Sequence, residues 1–433
     1  MKICMFTNTY LPHVGGVARS VAAFTEDLRQ RGHSVLIVCP EFSGSEKIDQ
    51  ADPDIVRVPA IQNFNGSDFS VRLPLPFNVD DRIDAFAPDI IHSHHPFLMG
   101  DSALRQARQR RLPLVFTHHT MYEQYTHYVP LDSPAMQQFA VGLATEYANL
   151  CDRVIAPSES TARLLDARGV ASPVTAMPTG VDVPFFKYGR GNRFRTAQGI
   201  ARNAVVAGHL GRLAPEKNLK YLAAAALLFV KKAPQRRFLV AGSGPAEEEI
   251  VRMFNKNNVA DRLVLPGKLT GRALQDGYKA MDFFVFASKS ETQGMVLTEA
   301  MAAGLPVIAL DAPGAREVVQ NNVNGLLLSG EADVREFAAA MDRAASCTDD
   351  RKRWKKQAVK TAWHFSRDAC AKRLEKLYEE VCQECRDDAG KNNETLIPWD
   401  TLLGAISAEW DLLSEKAAAI ARTVNGNSHG KAG

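Results

Sequence analysis

The amino-acid sequence predicts an α/β protein built from two doubly wound parallel-sheet domains. Strand-like and helix-like segments alternate along its 433 residues, and this alternation favours parallel sheets with crossover helices. One series of strand-like segments ends near residue 157, and a second series begins near residue 204. The length agrees with this division, since a domain holds ~150 residues on average.

The predicted strands are short apolar runs bounded by Gly, Pro, Asn or Ser, as in buried parallel sheets. The first series is Ile3–Asn8, Ser34–Cys39, Ile55–Val58, Ile90–His94, Leu114–His118 and Val154–Pro157. The second series is Ala204–His209, Phe238–Ala241, Leu263–Leu265, Phe283–Ala287, Val307–Ala309 and Leu326–Leu328.

These segments predict the domain boundaries. We expect one domain over residues 1–182, a linker over 183–200, where Gly and Arg occur without periodicity, and a second domain over 201–365. A helix over 366–386 is expected to cross back to the first domain. The tail, 387–433, carries apolar residues at a spacing of three and four, which predicts an amphipathic helix.

Composition excludes several classes of protein. The net charge of +3 is too small to indicate nucleic-acid binding, and no apolar run is long enough to span a bilayer. The N-terminus begins with a short strand rather than a signal peptide. The seven cysteines are scattered, and the pair Cys382 and Cys385 has neither a second pair nor a nearby His. A cytoplasmic protein without a structural metal is predicted.

The most informative stretch runs from Phe283 to Ala309. It predicts a strand, a polar loop with Glu291, a helix with Glu299 on its second turn, and another strand. Ligands bind at the carboxyl ends of the strands in such sheets, and free amides at a helix N-terminus attract anions. The amides of Gly294, Met295 and Val296 and the two carboxylates would therefore suit a nucleotide sugar.

Three further strand-to-helix turns are expected to open onto the same crevice. The first contains Gly15 and Gly16, although a Gly pair is also an ordinary tight turn. The second contains Arg212 and Lys217, and a cation near a helix N-terminus indicates an anion that offsets it. The third contains Gly242, and Lys268 follows the next strand. Arg212 and Lys217 together predict a diphosphate clamp.

Histidines and tyrosines cluster after the fourth and fifth strands, namely His94, His119, Tyr122, His127 and Tyr128. A zinc site is one interpretation, but no carboxylate or Cys lies at a regular spacing. Hydrogen bonding to a polyhydroxylated ligand is favoured over metal binding. For any single histidine, a structural role is an equal alternative. The apolar segment Gln62–Asp81 is interpreted as a loop that packs on its own domain or covers the cleft.

Taken together, these motifs resemble the retaining glycosyltransferases of family 4. The resemblance covers Met1 to about Cys385 and depends on Gly15-Gly16-Val17, on Gly211-Arg212-Leu213 with Glu216-Lys217, and on Glu291 with Glu299. It implies the GT-B fold, in which two Rossmann-like domains face a cleft. The first domain would then be the acceptor side and the second would bind the nucleotide-sugar donor.

The resemblance also implies a role for each matching residue. Gly16 would touch the donor diphosphate, Arg212 and Lys217 would hold it, and Glu291 would bind hydroxyls of the donor sugar. Glu299 would bind the ribose, and His119 would lie close to the transferred sugar. Gly15, Gly242, Lys268, Gly294, Met295 and Val296 would complete the donor side, and His94, Tyr122, His127 and Tyr128 the acceptor side.

A narrower similarity is to the diacylglycerol glucosyltransferases. It depends on the segments His94–Gly100, Thr117–Tyr128 and Glu291–Gly294. This group implies UDP-glucose as the donor and a membrane lipid as the acceptor, with peripheral contact to the cytoplasmic face of the membrane. Gln62–Asp81 departs from the group because it is not basic. A soluble sugar, a polysaccharide or another lipid-linked acceptor is the alternative, for instance with GDP-mannose.

The implied reaction transfers a hexose with retention of configuration and needs no metal or other cofactor. Glu291 would position the sugar rather than act as the nucleophile of a glycosidase pair. An epimerase, a phosphorylase with a pyridoxal phosphate lysine and a non-catalytic binding protein are rival interpretations. The presence of Glu291, Glu299, Arg212 and Lys217 argues against the binding protein.

Overall fold

The structure is a computed structural model, and it describes residues 1–13, 15–61, 71–72, 79–122 and 134–391. Within this range, Met1–Cys382 form one compact unit that contains both predicted sheets. His127, Tyr128, most of Gln62–Asp81 and nearly all of the tail lie outside the described residues. No helix in the described part of the chain is both long and apolar enough to cross a bilayer.

The strands confirm two parallel sheets. In chain order they are β1 (Lys2–Phe6), β2 (Ser34–Pro40), β3 (Ile55–Val58), β4 (Ala60–Ile61), β5 (Val71–Arg72), β6 (Ile90–Ser93), β7 (Leu114–Thr117), β8 (Arg153–Ala156), β9 (Val174–Ala176), β10 (Val205–Leu210), β11 (Arg236–Ala241), β12 (Leu263–Gly267), β13 (Phe283–Phe286), β14 (Val307–Leu310) and β15 (Gly325–Leu328).

Each sheet is doubly wound. The first has the order β3-β2-β1-β6-β7-β8-β9 and the second the order β12-β11-β10-β13-β14-β15. Neighbouring strands pair in parallel throughout both sheets, whereas β4 and β5 form a small antiparallel pair. The strand order reverses between β1 and β6 in the first sheet and between β10 and β13 in the second. Ligands bind at such a switch point.

Three strands were not predicted, namely β4, β5 and β9. β9 has three residues, each only partly buried, and it lies at the edge of the first sheet beside β8. An edge strand of this length lacks the apolar run that marks a buried strand. By contrast, all four residues of β13 and of β14 are buried, and both strands were predicted.

The helices lie between the strands. In chain order they are α1 (Gly16–Gln30), α2 (Glu46–Ala51), α3 (Asp80–Phe86), α4 (Met99–Arg110), α5 (Pro134–Asn149), α6 (Glu159–Ala167), α7 (Val183–Lys187), α8 (Gly191–Ala197), α9 (Leu219–Lys231), α10 (Glu247–Lys256), α11 (Gly271–Ala280), α12 (Met295–Ala302), α13 (Val334–Ser346), α14 (Thr348–His364) and α15 (Arg367–Lys391).

Residues 183–200 are more regular than the aperiodic linker that the sequence indicates. They form α7 and α8, and Phe186 and Phe194 are buried in the core of the second sheet. The Asp182 carboxylate accepts a hydrogen bond from the Phe185 amide at 3.0 Å and caps α7. Helices of two turns or fewer are too short to show a helical period, which is why the sequence did not reveal them.

Helix α15 packs against the first sheet and its helices. The Tyr378 hydroxyl lies 2.6 Å from His92 Nδ1 on β6, and Glu375 pairs with Arg31 and His33, which follow α1. Before α15, the Val181 amide donates to Phe365 O at 2.8 Å and the Arg367 amide donates to Val181 O at 3.0 Å. The two chain segments that join the sheets are therefore hydrogen-bonded to each other.

We expect the apolar contacts of α15 to stabilise the first domain. Leu374 is fully buried, so Leu374→Ala should lower the free energy of unfolding by about 2–5 kcal/mol through lost burial and a residual cavity. Urea denaturation measures this change. Lys376→Ala on the same helix is the control: Lys376 is exposed and pairs with Glu380, so the change should stay within about 0.5 kcal/mol. Equal effects of the two substitutions would contradict the stabilising role of the apolar contacts of α15.

Candidate active site

The loop between β13 and α12 lies where the two halves of the chain meet. The Gln293 side chain is buried in this loop and pairs with the backbone of Thr179: its Nε2 donates to Thr179 O at 2.7 Å, and its Oε1 accepts from the Thr179 amide at 2.9 Å. Thr179 precedes the segment that leads to the second sheet. Both polar atoms of a buried amide are thus satisfied across the junction.

The neighbouring Thr292 makes two further contacts with the first domain. Its hydroxyl donates to His119 O at 3.1 Å, and its carbonyl accepts from the Thr161 hydroxyl at 3.3 Å. His119 follows β7 and Thr161 lies on α6. The loop that carries Glu291 is therefore held by the second sheet through its own strand and by the first domain through Thr292 and Gln293.

Glu291 and Lys217 form an ion pair. Lys217 Nζ lies 2.6 Å from Glu291 Oε1, and the side chains are 17% and 19% exposed. Lys217 ends a single 3₁₀ turn just before α9. The position of this cation predicted a bound anion, but in the structure Glu291 is the anion that offsets it. The pair is partly shielded, so its attraction is stronger than that of a surface pair.

Arg212 also has a carboxylate partner. Its Nη2 lies 2.5 Å from Glu216 Oε1, four residues further along the chain, and about half of the Arg212 side chain is exposed. An exposed pair of this kind contributes little to stability. Exchanging the Glu216 carboxylate for a stronger anion would therefore cost little in lost ion pairing.

Both carboxylate oxygens of Glu299 are occupied. Oε1 accepts from Arg19 Nη2 at 2.6 Å, and Oε2 accepts from the Tyr278 hydroxyl at 2.8 Å. Glu299 is 5% exposed. Its charge raises the pKa of Arg19, and burial together with Glu299 raises that of Tyr278. Arg19 lies on α1 and Glu299 on α12, so this ion pair joins the two domains.

Arg19 and Tyr278 were missed by the sequence analysis. For Arg19 a signal exists, because it lies near the N-terminus of α1, which has no acidic residue in its first turn. A cation there is unfavourable unless an anion offsets it, which is the argument used for Lys217. Tyr278 is a buried aromatic residue of α11, and nothing in the sequence distinguishes it from a core residue.

Helix α12 presents its N-terminus beside Glu291. Gly294 is its N-cap, with φ of 69°, and no side chain caps the helix. The first amides of an uncapped helix are available to a ligand, and the helix dipole favours an anion. The contribution of Gly294, Met295 and Val296 to donor binding stays a prediction, and the uncapped helix end is compatible with it.

The glycines have different surroundings. Gly16 begins α1, and a Cβ at this position would meet no described atom within 4 Å. The protein itself therefore does not require glycine there, and the space is open to a ligand. A Cβ on Gly15 would come within 2.8 Å of the flexible His13 ring, whereas one on Gly242 would lie 1.9 Å from Gly211 O. Gly242 is required by the close approach of two loops.

Lys268 lies further from the Glu291 loop than Lys217, the other lysine predicted to bind the donor. It follows β12, the edge strand of the second sheet, and its side chain is exposed. Two strands, β11 and β10, separate the ends of β12 and β13. The described structure does not join Lys268 to the Glu291–Lys217 pair by any hydrogen bond.

His209 is a further residue that the sequence analysis did not select. It is the penultimate residue of β10, and its ring is stacked over Phe284 and Phe286. Its Nδ1 donates to Val285 O at 3.1 Å, while its buried Nε2 has no partner among the described residues. Burial lowers the pKa of His209 to about 4. The ring is thus neutral, with a bare acceptor at the end of the central strand.

The histidines at the first sheet form hydrogen bonds with one another and with the surrounding strands. His94 Nδ1 lies 2.9 Å from His119 Nε2, and His92 bonds to Thr117 on the next strand. The Tyr122 ring packs edge-on against Phe97 and His118. His94, His119 and Tyr122 therefore lie together at this edge. His127 and Tyr128 remain predictions outside the described residues.

The described side chains form no cluster of three or more His, Cys, Asp or Glu residues that could hold a metal ion. What they do form is the Lys217–Glu291 pair beside the uncapped N-terminus of α12, with Glu299 in that same helix and Arg212 paired to Glu216. Such an arrangement can bind a diphosphate and the hydroxyls attached to it, and can stabilise negative charge that develops on a leaving phosphate.

Two family models match the chain. The model described as Glycosyltransferase Family 4 matches residues 14–184, and the model described as Glycosyl transferases group 1 matches residues 192–361. The first match spans the first sheet from β2 to β9, and the second match spans all six strands of the second sheet. Both halves of the chain thus agree with the resemblance that the motifs indicate.

Named relatives agree with the family models. The alpha-monoglucosyldiacylglycerol synthase of Streptococcus pneumoniae is 30% identical over 365 residues, which cover 81% of this chain and 79% of the relative. The GDP-mannose-dependent alpha-mannosyltransferase of Corynebacterium glutamicum is 28% identical, over 89% of this chain and 87% of the relative.

Solved structures support the fold. Anabaena Alr3699/HepE in complex with UDP has a TM-score of 0.73 at 20% identity, and the match covers 88% of this chain and all of that chain. The sucrose-phosphate synthase of Thermosynechococcus elongatus has a TM-score of 0.71 at 20% identity, over 88% and 98% of the chains. At this identity the likeness concerns the fold alone.

The expected GT-B fold and enzyme class are therefore confirmed, while the role of each site residue stays a prediction. The chain belongs to glycosyltransferase family 4, and it is a hexosyltransferase of the GT-B fold that uses a nucleotide-sugar donor.

Proposed function

We propose that this enzyme transfers glucose from UDP-glucose to the free hydroxyl of a 1,2-diacylglycerol, with retention of configuration. The observation that carries the donor side is the Lys217–Glu291 pair beside the uncapped N-terminus of α12. The acceptor is supported by the monoglucosyldiacylglycerol synthases of Streptococcus pneumoniae and Acholeplasma laidlawii, 30% and 28% identical. Because diacylglycerol is a membrane lipid, the reaction would occur at the cytoplasmic membrane face.

On the donor side, the diphosphate lies against the α12 amides and draws Lys217 and Arg212 away from their carboxylate partners. Glu291, released from Lys217, then accepts hydrogen bonds from hydroxyls of the glucose. Glu299 is oriented by Tyr278 and binds the ribose hydroxyls. These residues belong to the second domain, over 201–365, and Gly16 of the first domain leaves space for the phosphates.

In the chemical step, the bond between glucose C1 and the diphosphate oxygen breaks while the acceptor oxygen bonds to C1 on the same face. The acceptor proton passes to the leaving diphosphate. Lys217, Arg212 and the α12 dipole stabilise the charge that develops on that group, so the reaction requires no divalent metal. Contact between the domains around Thr292 and Gln293 excludes water from the reacting atoms.

Product analysis tests the substrate assignment. The purified enzyme is incubated with UDP-glucose and diacylglycerol in mixed micelles, and in parallel with a panel of soluble sugars and with GDP-mannose. We expect a glucosyl lipid in the first reaction, identified by mass spectrometry. A GDP-mannose product would instead favour the mannosyltransferase function of the actinobacterial relatives, and a product formed only on soluble sugars would exclude the lipid acceptor.

Substitution of Lys217 tests the donor site. Lys217→Met should lower kcat/KM by about 10²–10³, the effect typical of removing one group that stabilises a leaving-group charge. The thermal unfolding curve should change little, because the Glu291 side chain is 19% exposed and its carboxylate can be hydrated once Lys217 is removed. The control is Lys220→Met. Lys220 lies three residues after Lys217, is exposed, and pairs with Glu249 of α10. Wild-type activity of the Lys217 variant would exclude its role at the diphosphate.

Chelation tests the role of metal. We expect transfer activity to survive extensive treatment with EDTA, because protein groups supply all the positive charge at the diphosphate. Initial rates are compared before and after treatment and again after addition of Mg²⁺ or Mn²⁺. Loss of activity that either cation restores would contradict a metal-independent mechanism.

A further inference from the structure

Three imidazole rings form a row at the carboxyl edge of the first sheet. The ring centroids of His92 and His94 are 4.1 Å apart, and those of His94 and His119 are 5.2 Å apart. Both nitrogens of His92 have partners: Nδ1 bonds to the Tyr378 hydroxyl at 2.6 Å and Nε2 to the Thr117 hydroxyl at 2.7 Å. The inner end of the row is therefore fixed by α15 and β7.

The hydrogen bond between His94 and His119 requires one proton. His94 Nδ1 and His119 Nε2 are 2.9 Å apart, so one of these nitrogens donates and the other accepts. Burial and the neighbouring imidazoles lower the pKa of both His94 and His119 well below the usual range. Both rings are therefore neutral, and each carries a single N–H.

The second nitrogen of His94 decides which ring donates. Nε2 is buried and has no partner in the described part of the chain. If the proton were on Nε2, the site would contain a buried N–H without an acceptor, which is rare in proteins, whereas an unsatisfied acceptor is less so. The proton therefore belongs on Nδ1, and His94 donates to His119 Nε2.

This direction fixes the tautomer of His119. Its Nε2 accepts from His94, so its proton is on Nδ1, which has no partner among the described residues. His119 keeps part of its surface exposed, and its carbonyl is held by Thr292 of the loop that carries Glu291. The ring thus offers an N–H donor, rather than a lone pair, at the junction of the two domains.

We propose that His94 is a positioning residue, which holds neutral His119 as the Nδ1–H tautomer so that it donates a hydrogen bond to an oxygen of the transferred sugar. The role at the sugar rests on the proposed function, whereas the tautomer itself does not. A ring in the opposite tautomer would present a lone pair at Nδ1, which can only accept a hydrogen bond from a sugar hydroxyl and cannot donate one.

Nitrogen-15 NMR of protein labelled at histidine tests the tautomer directly. Protonated and bare imidazole nitrogens have widely separated shifts, and long-range proton–nitrogen correlations distinguish Nδ1 from Nε2. The His119 signals are identified by their loss in His119→Gln. We expect a bare Nε2 and a protonated Nδ1 in the ligand-free enzyme. A protonated Nε2 on His119 would overturn the proposal, whatever the substrate of the enzyme.

Two substitutions of similar size test the catalytic consequence. His94→Asn places an amide N–H near the position of Nδ1, whereas His94→Leu supplies no donor. We expect His94→Leu to lower kcat by about 10–100-fold, the range typical when the partner that orients a histidine is removed. His94→Asn should recover a substantial part of that loss. The KM for the donor should change little in either variant, because the diphosphate contacts are intact.

Several outcomes separate this proposal from the substrate assignment. Equal activity of the Asn and Leu variants, with equal thermal unfolding curves, would overturn the positioning role. If both variants unfold at a lower temperature than the wild-type enzyme, their activities do not test the proposal. The tautomer of His119 measured in the wild-type enzyme then supports or overturns it. Absence of glucosyl lipid from the wild-type enzyme, together with the expected tautomer, would overturn the proposed substrates and leave the His94–His119 assignment in place.

Discussion

The buried amide of Gln293 holds together the parts on which the site depends. Its two hydrogen bonds to the Thr179 backbone tie the loop after β13 to the segment that joins the two sheets. Glu291 lies two residues before this amide, and α12 begins two residues after it. These bonds set the position of the carboxylate and of the helix N-terminus relative to the first domain, together with the Thr292 contacts and the Arg19–Glu299 ion pair. A buried amide with both polar atoms satisfied is costly to displace, which makes the arrangement rigid.

The charged groups of the site are paired with one another. Lys217 is held by Glu291, Arg212 by Glu216, and Glu299 by Arg19 and Tyr278. On the donor-binding role that we propose, an anionic donor would exchange these partners for its own rather than neutralise free charges. The pairing keeps the side chains oriented, and it satisfies a carboxylate as buried as that of Glu299.

The sequence predicted the two sheets because their central strands are continuous apolar runs, as in β13 and β14. It did not predict β9, α7 or α8, which are too short for their periodicity to be recognised. At the site, residue types and local spacing identified Glu291, Glu299, Lys217 and Arg212, but not their partners. Arg19 lies 280 residues from Glu299, and no local pattern reports a contact of that separation. Its place near a helix N-terminus was a usable signal. His209 and Tyr278 offered none, because their roles depend on which atoms surround them.

Thr292 and Gln293 have a further consequence for how such an enzyme can diverge. Both residues lie in the loop that carries Glu291, and both form hydrogen bonds to the opposite half of the molecule. A change of side chain at either position alters the spacing of the two halves together with the loop itself. On the roles proposed for Glu291 and His119, a substitution at either position would therefore act on the donor side and on the acceptor side together. A variant selected for a new acceptor through this loop would need its donor site adjusted in the same step.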